Sequence, residues 1–216
     1  MGNDCLGKST TVQTAQSISG KYNVVVICGS LKQKSLNKGL LQAINKVNHP
    51  KFNFILGDIS NFVIFDEDLE ARGIPTDVKT LRRQVHDADA VLFGIPEYNF
   101  SISAPMKNAY DWLSREYAQS SDPYEKKSPV QEKIGAMVSV AYATGGVKAQ
   151  EHFQHSVSYR KMKILPPTGP AEFRIKGYEG KKFDENGNLI DLEVIARINP
   201  FLNAFASFID QNLVKK

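Results

Sequence analysis

An α/β fold built on a parallel sheet is predicted by three features of this 216-residue chain. Ala90-Val91-Leu92-Phe93-Gly94-Ile95 is a short continuous apolar run with β-branched and aromatic members, as a central parallel strand covered on both faces requires. A second run, Val24 to Cys28, feeds a Gly-Ser turn and then a helix-period stripe of Leu40, Leu41, Ile44 and Val47. The two runs stand about sixty residues apart, the separation that a βαβαβ unit needs.

Residues 1 to 20 are rich in Ser, Thr, Gln and Gly, with little apolar periodicity, and read as a flexible leader before one folded domain, 21 to 216. Val24 to Cys28 is the first strand. After it Gly29 permits a turn, Ser30 and Ser35 offer hydroxyls, and a helix beginning near Leu36 offers free backbone N–H groups at the positive end of its dipole. Asn37 lies in that first turn, where its amide can also reach an anion. Such a cluster suits a phosphate, and its plain alternative is a turn with an N-cap. G-x-G-x-x-G with a matched acidic residue is absent, so a mononucleotide fits better than a dinucleotide.

Phe52, Phe54 and Leu56 alternate as a second strand, Asp58 to Pro75 is an irregular acidic connection, and a helix from about Asp77 to His86 buries Val78, Leu81 and Val85. Pro96 lacks a ladder donor and ends the strand begun at Ala90. Glu97, Tyr98 and Asn99 therefore emerge at the carboxyl end of a central strand, where open α/β sheets bind ligands. Ser103 can cap a helix with Pro105 in its first turn, and Met106, Ala109, Tyr110 and Leu113 would face the sheet. Gln119 to Lys133 is polar and reads as an exposed connection. Ile134 to about Val140 is the next strand, Lys163-Ile164-Leu165 the fifth, stopped by Pro166-Pro167. A final helix buries Ile195, Ile198, Leu202, Phe205 and Ile209, and Pro200 is expected to kink or divide it by removing a bond to Ala196.

Composition narrows the function classes. Hydrophobic residues make up 42% and charged residues 23% of the chain, which suits one domain with a sizeable core. No secretory leader and no apolar run of the roughly 20 residues a bilayer needs is evident, so a soluble, cytoplasmic protein is expected. The net charge of +4 could favour phosphorylated ligands, yet no basic helix or aromatic RNA-binding motif accompanies it, and no nucleic acid partner is expected. The two cysteines, Cys5 and Cys28, form neither a disulfide framework nor a thiolate metal site. His152 and His155 lie three apart on a helix without a convincing third ligand, and no metal is expected.

Gly29-Ser30-Leu31-Lys32-Gln33-Lys34-Ser35-Leu36-Asn37 resembles the Gly-Ser-x-Arg-x-x-Ser-x-Asn phosphate loop of the NAD(P)H-dependent FMN reductase family. Pro96-Glu97-Tyr98-Asn99, followed by Ala-Pro-Met-Lys-Asn-Ala and Asp-Trp-Leu-Ser-Arg, is similar to the second half of that signature, and the likeness runs from Tyr22 to about Ile209. Lys32 stands where the family usually has Arg, keeping the charge without the bidentate fork. The resemblance implies a flavodoxin-like three-layer fold with a central five-stranded parallel sheet. It implies FMN as cofactor, with NADPH or NADH as donor and a quinone-like acceptor. Ser30, Lys32, Ser35, Leu36, Asn37, Pro96, Glu97, Tyr98, Asn99 and Ser139 are its implied flavin-binding residues. Hydride transfer is carried by the flavin in a ping-pong cycle, so no catalytic nucleophile, acid or base is assigned, and a homodimer or homotetramer is implied. The start of the chain, with Gly2 and Cys5, is similar to leaders that are doubly acylated, which would give membrane contact. Two other readings remain open at this point: a non-enzymatic flavodoxin-like electron carrier, whose usual acidic surface conflicts with a pI of about 8.9, and an FMN-binding or scaffold protein that has lost catalysis.

Overall fold

A computed structural model describes residues 20–177 and 181–213. The leader expected over 1–20, with Gly2 and Cys5, lies outside the described residues except for Gly20. The elements run β1 (Tyr22–Cys28), α1 (Leu36–Lys46), β2 (Phe52–Gly57), α2 (Glu67–Ala71), α3 (Thr76–Asp87), β3 (Ala90–Gly94), β4 (Glu97–Tyr98), β5 (Ser101–Ile102), α4 (Ala104–Leu113), α5 (Pro123–Lys126), β6 (Ile134–Ala141) and α6 (Val147–Ser158). They continue through β7 (Lys163–Ile164), a 3-10 turn at Gly169–Ala171, β8 (Phe173–Lys176), α7 (Leu192–Ala196) and α8 (Ile198–Asn212).

The main sheet is parallel, in the order β2-β1-β3-β6, and its fifth position is shared. β7 pairs with the start of β6, Ile134↔Lys163, and β8 with its end, Val138↔Phe173 to Ala141↔Lys176. The expected fifth strand at 163–165 is thus only the first half of that position. Pro166 and Pro167 cannot donate to a ladder, so the chain leaves the sheet and re-enters it at Phe173. This sheet order places a topological switch between β1 and β3, where crossovers leave toward opposite faces and a crevice opens at the carboxyl ends.

Alternation along each strand builds the layers. Val24, Val26, Ala90 and Leu92 pack with Leu40, Leu41 and Ile44 of α1 and with Ile198, Phe201, Leu202 and Phe205 of α8. Val25, Ile27, Val91 and Phe93 turn to the other face, against Leu81 and Val85 of α3, Met106 and Ala109 of α4, and Phe153 of α6. A one-residue slip in register would exchange the two sets, so burial on both faces fixes the pairing Val24↔Ala90 through Cys28↔Gly94.

Three details differ from expectation. The 58–75 connection contains α2, capped by Asp66, whose side chain accepts from the Leu69 N–H at 2.7 Å. The last helix is divided, as expected, but the break falls at Arg197, which leaves Pro200 in the first turn of α8, where no intrahelical N–H is needed. Leu192–Asn212 taken whole is also long and apolar enough by composition to cross a membrane, at a mean hydropathy of 1.2. Its apolar stripe is the one that meets the sheet.

Candidate functional site

The phosphate-type loop is held by its neighbours rather than by itself. Gly29 N–H donates to Gly94 O at 2.9 Å, carrying the β1–β3 pairing one step past the strand. A Cβ on Gly29 would stand 2.8 Å from Pro96 Cδ and 2.9 Å from Ser103 Oγ, so only glycine lets the two crests of the switch point meet this closely. Ser103 Oγ donates to Gly29 O at 2.7 Å and accepts from Met106 N–H, so one hydroxyl caps α4 and pins the loop. Ser35 is the N-cap of α1, accepting from Lys38 N–H at 3.3 Å, and the earlier N–H groups of that turn point out of the helix end.

Between loop and hairpin lies a groove of about 380 Å³, lined by Gly29, Ser30, Leu31, Lys32, Tyr98 and the start of α4 from Ser103 to Pro105. The structure therefore brings Ser30, Lys32 and Tyr98 together. Two other residues expected there turn inward. The Asn37 amide is buried and bonds Val140 twice, giving to its carbonyl at 2.8 Å and taking from its N–H at 3.0 Å. It clips the end of β6 to α1. Ser139 is fully buried, its hydroxyl donating to Gly145 O and accepting from Gln150 Nε2 at 2.9 Å. Its side chain shapes the loop after β6 rather than lining the groove.

Of the expected segment Pro96 to Asn99, only Tyr98 lines the groove. β4 and β5 make a two-stranded hairpin, Glu97↔Ile102 and Tyr98↔Ser101, where the sequence predicts a loop. Its turn residues Asn99 and Phe100 have φ of 50° and 58°, the pair of positive values that a type I′ turn demands. Asparagine accepts that region readily, and phenylalanine does not. Tyr98, Phe100 and Tyr142, the residue after β6, are each more than half exposed. Glu97 points away from the groove: one carboxylate oxygen accepts from Thr144 Oγ1 and the other from Ala149 N–H at 3.1 Å.

Ser103, Thr144 and Gln150 were not among the residues that the sequence singled out for the site. Ser103 was visible only as a helix cap, and its second bond, to Gly29, joins segments 74 residues apart. Gln150 works through a buried chain that runs on to Arg174, whose Nε donates to it at 2.7 Å.

Residues 22–172 match the model of the family described as NADPH-dependent FMN reductase. The chain belongs to the NADPH-dependent FMN reductase family. It is 36% identical over 191 residues to a probable NADPH:quinone oxidoreductase of Oryza sativa subsp. japonica, covering 86% of this chain and 90% of that one. It is 31% identical over 202 residues to an NADPH:quinone oxidoreductase of Arabidopsis thaliana, covering 91% and 96%. Among solved structures it is similar to a flavoenzyme NAD(P)H:(acceptor) oxidoreductase from Paracoccus denitrificans, with 25% identity and a TM-score of 0.73 over 88% of this chain and 98% of that one.

As an NAD(P)H-dependent FMN oxidoreductase, the protein uses FMN and a nicotinamide donor. The groove fits that cofactor. The hydroxyls of Ser30 and Ser103 and the Lys32 ammonium suit a phosphate dianion, while Leu31, Pro105 and the Tyr98 ring suit a flat heterocycle.

Proposed function

We propose that this chain reduces quinones by two electrons at the expense of NADPH or NADH, acting as a homo-oligomer, with FMN seated in the groove between the Gly29–Asn37 loop and the Pro96–Ser101 hairpin. The observation that carries this reading is the meeting of the phosphate-type loop with the Tyr98 hairpin across one groove at the sheet's switch point. Ser30, Ser35 and the Leu36 and Asn37 N–H groups hold the phosphate, with Lys32 neutralising part of its charge. Tyr98, and backbone groups of the Pro96 to Asn99 segment, would hold the heterocycle. When bound, FMN would supply the two-electron hydride chemistry between the nicotinamide and the acceptor.

The protein's share of the work is orientation. Buried bonds at Asn37, Ser103 and Ser139 fix the segments at the carboxyl end of the sheet, so that a bound donor and acceptor would meet a rigid frame. The exposed rings of Tyr98, Phe100 and Tyr142 offer flat apolar surface to an aromatic acceptor.

The test is direct. Purified protein mixed with FMN should bind it, and NADPH or NADH oxidation should rise when benzoquinone is added. Flavin binding without quinone-dependent turnover would leave only an electron carrier, and no flavin binding would overturn the cofactor site.

A further inference from the structure

We infer that Glu97 is a positioning residue: its carboxylate straps the hairpin that carries Tyr98 and Asn99 to the loop after β6 and to the first turn of α6. This rests on the placing of FMN in the groove. The hairpin has only two residues in each strand, and a two-stranded ribbon of that size does not hold its own place. Helix α6 has the complementary need. Its N-cap is Gly146, at φ 96°, with no side chain to satisfy the exposed N–H groups.

Glu97 answers both. One oxygen takes the Ala149 N–H in the first turn of α6, where a negative charge also meets the helix dipole. The other takes the Thr144 hydroxyl, which itself accepts from Gly146 N–H at 3.0 Å. A second tie lies on the opposite strand of the hairpin, where Ser101 Oγ and His152 Nδ1 are 3.0 Å apart. The carboxylate thus stands in for the missing N-cap from 52 residues away, and the same bonds set where Tyr98 faces the groove. Since both oxygens are engaged, its effect on the flavin passes through the loops it joins.

The experiment compares the parent protein with Glu97→Ala, Glu97→Gln and Thr144→Ala. In flavin-free protein, hydrogen exchange of amides 144–149 should quicken in Glu97→Ala. The FMN dissociation constant, from quenching of flavin fluorescence, should rise about tenfold, and flavin reduction at saturating NADPH should slow by a similar factor, as loss of orientation implies. Glu97→Gln keeps the length and an acceptor for Ala149 and should recover most of both. Adding Thr144→Ala to Glu97→Ala should cost less than the two effects summed, because the pair shares one contact. The strap is overturned if Glu97→Ala binds FMN and is reduced within about twofold of the parent, or if only its melting temperature falls. Should Glu97→Ala fail to fold, Thr144→Ala is judged by the same limits. A parent protein that takes up no FMN would instead overturn the site itself, so the two failures are distinct.

Discussion

At the scale of single residues, the chain uses buried polar side chains as clips between segments far apart in sequence. Asn37 is the clearest. Its amide satisfies both backbone groups of Val140, 103 residues away, where β6 outruns β3. Asn37→Ala leaves that N–H and carbonyl buried without partners, and a loss of about 2–3 kcal/mol is expected in denaturant unfolding of the flavin-free protein. Arg82 does similar work on the far side of the sheet. Its guanidinium, fully buried, donates to the carbonyls of Trp112 and Leu113 at the end of α4 and to those of Glu125 and Lys127. Burial pulls its pKa below the usual arginine value, but the charge remains where α4 has its negative end. Arg82→Met fills much of the space yet abandons four carbonyls, and should destabilise the fold by about 3 kcal/mol in the same measurement. These tasks were not legible in the sequence. A buried arginine and a surface one are spelled alike, and Asn37 stood in a motif whose plain chemistry pointed at an anion. Ser30, Lys32 and Tyr98 were legible because their positions follow from where strands end.

At the scale of elements, close backbone approach decides what can change. Gly39 of α1 meets the 184–188 turn so closely that a Cβ would stand 1.8 Å from Gly187 O, and Gly187, at φ 82°, would place its own Cβ 3.0 Å from the Lys34 backbone. That turn is folded by Asp184, whose carboxylate accepts from the N–H groups of Asn186 and Asn188. The late segment therefore buttresses the phosphate loop from behind. Gly187→Ala should both strain the turn, by about 1–3 kcal/mol, and weaken FMN binding with no direct contact to the flavin, which a fluorescence titration beside a melting curve would resolve. Helices and strands were mostly legible here because apolar period and breaker residues agree, as at Ser103 with Pro105. The hairpin was not, since a type I′ turn on Asn-Phe lacks the glycine that usually marks it. The shared fifth position escaped for a related reason: periodicity marks strands but not which partner they choose.

At the scale of the whole molecule, the two ends of the described domain are tied together at the amino end of the sheet, opposite the site. Tyr22, the first residue of β1, donates its hydroxyl to Asp210 near the end of α8, and Lys51 Nζ lies 3.3 Å from the same carboxylate. Lys51 and Asp210 are half exposed, so their ion pair adds little by itself. The tyrosine bond makes the fold sensitive to pH in two directions. Burial, then the bond to Asp210, pushes the Tyr22 hydroxyl up to about 12. A raised pKa means that its contribution is whole below the ordinary tyrosine value of 10.0 and fades as pH climbs toward about 12. Asp210 moves the other way, held below the usual carboxylate range chiefly by the hydrogen bond from Tyr22. Its contribution is whole above the ordinary value of 3.8 and is lost as pH falls through its lowered pKa. Tyr22→Phe removes the titrating hydroxyl and the bond that chiefly lowers Asp210, while leaving the ring to pack against Phe52. The unfolding midpoint of the parent should therefore exceed that of Tyr22→Phe by a constant amount through the neutral range, and the two curves should converge above pH 10 and again in acid below the carboxylate range. A gap that stayed constant into strong alkali would show that the Tyr22 hydroxyl holds no such bond.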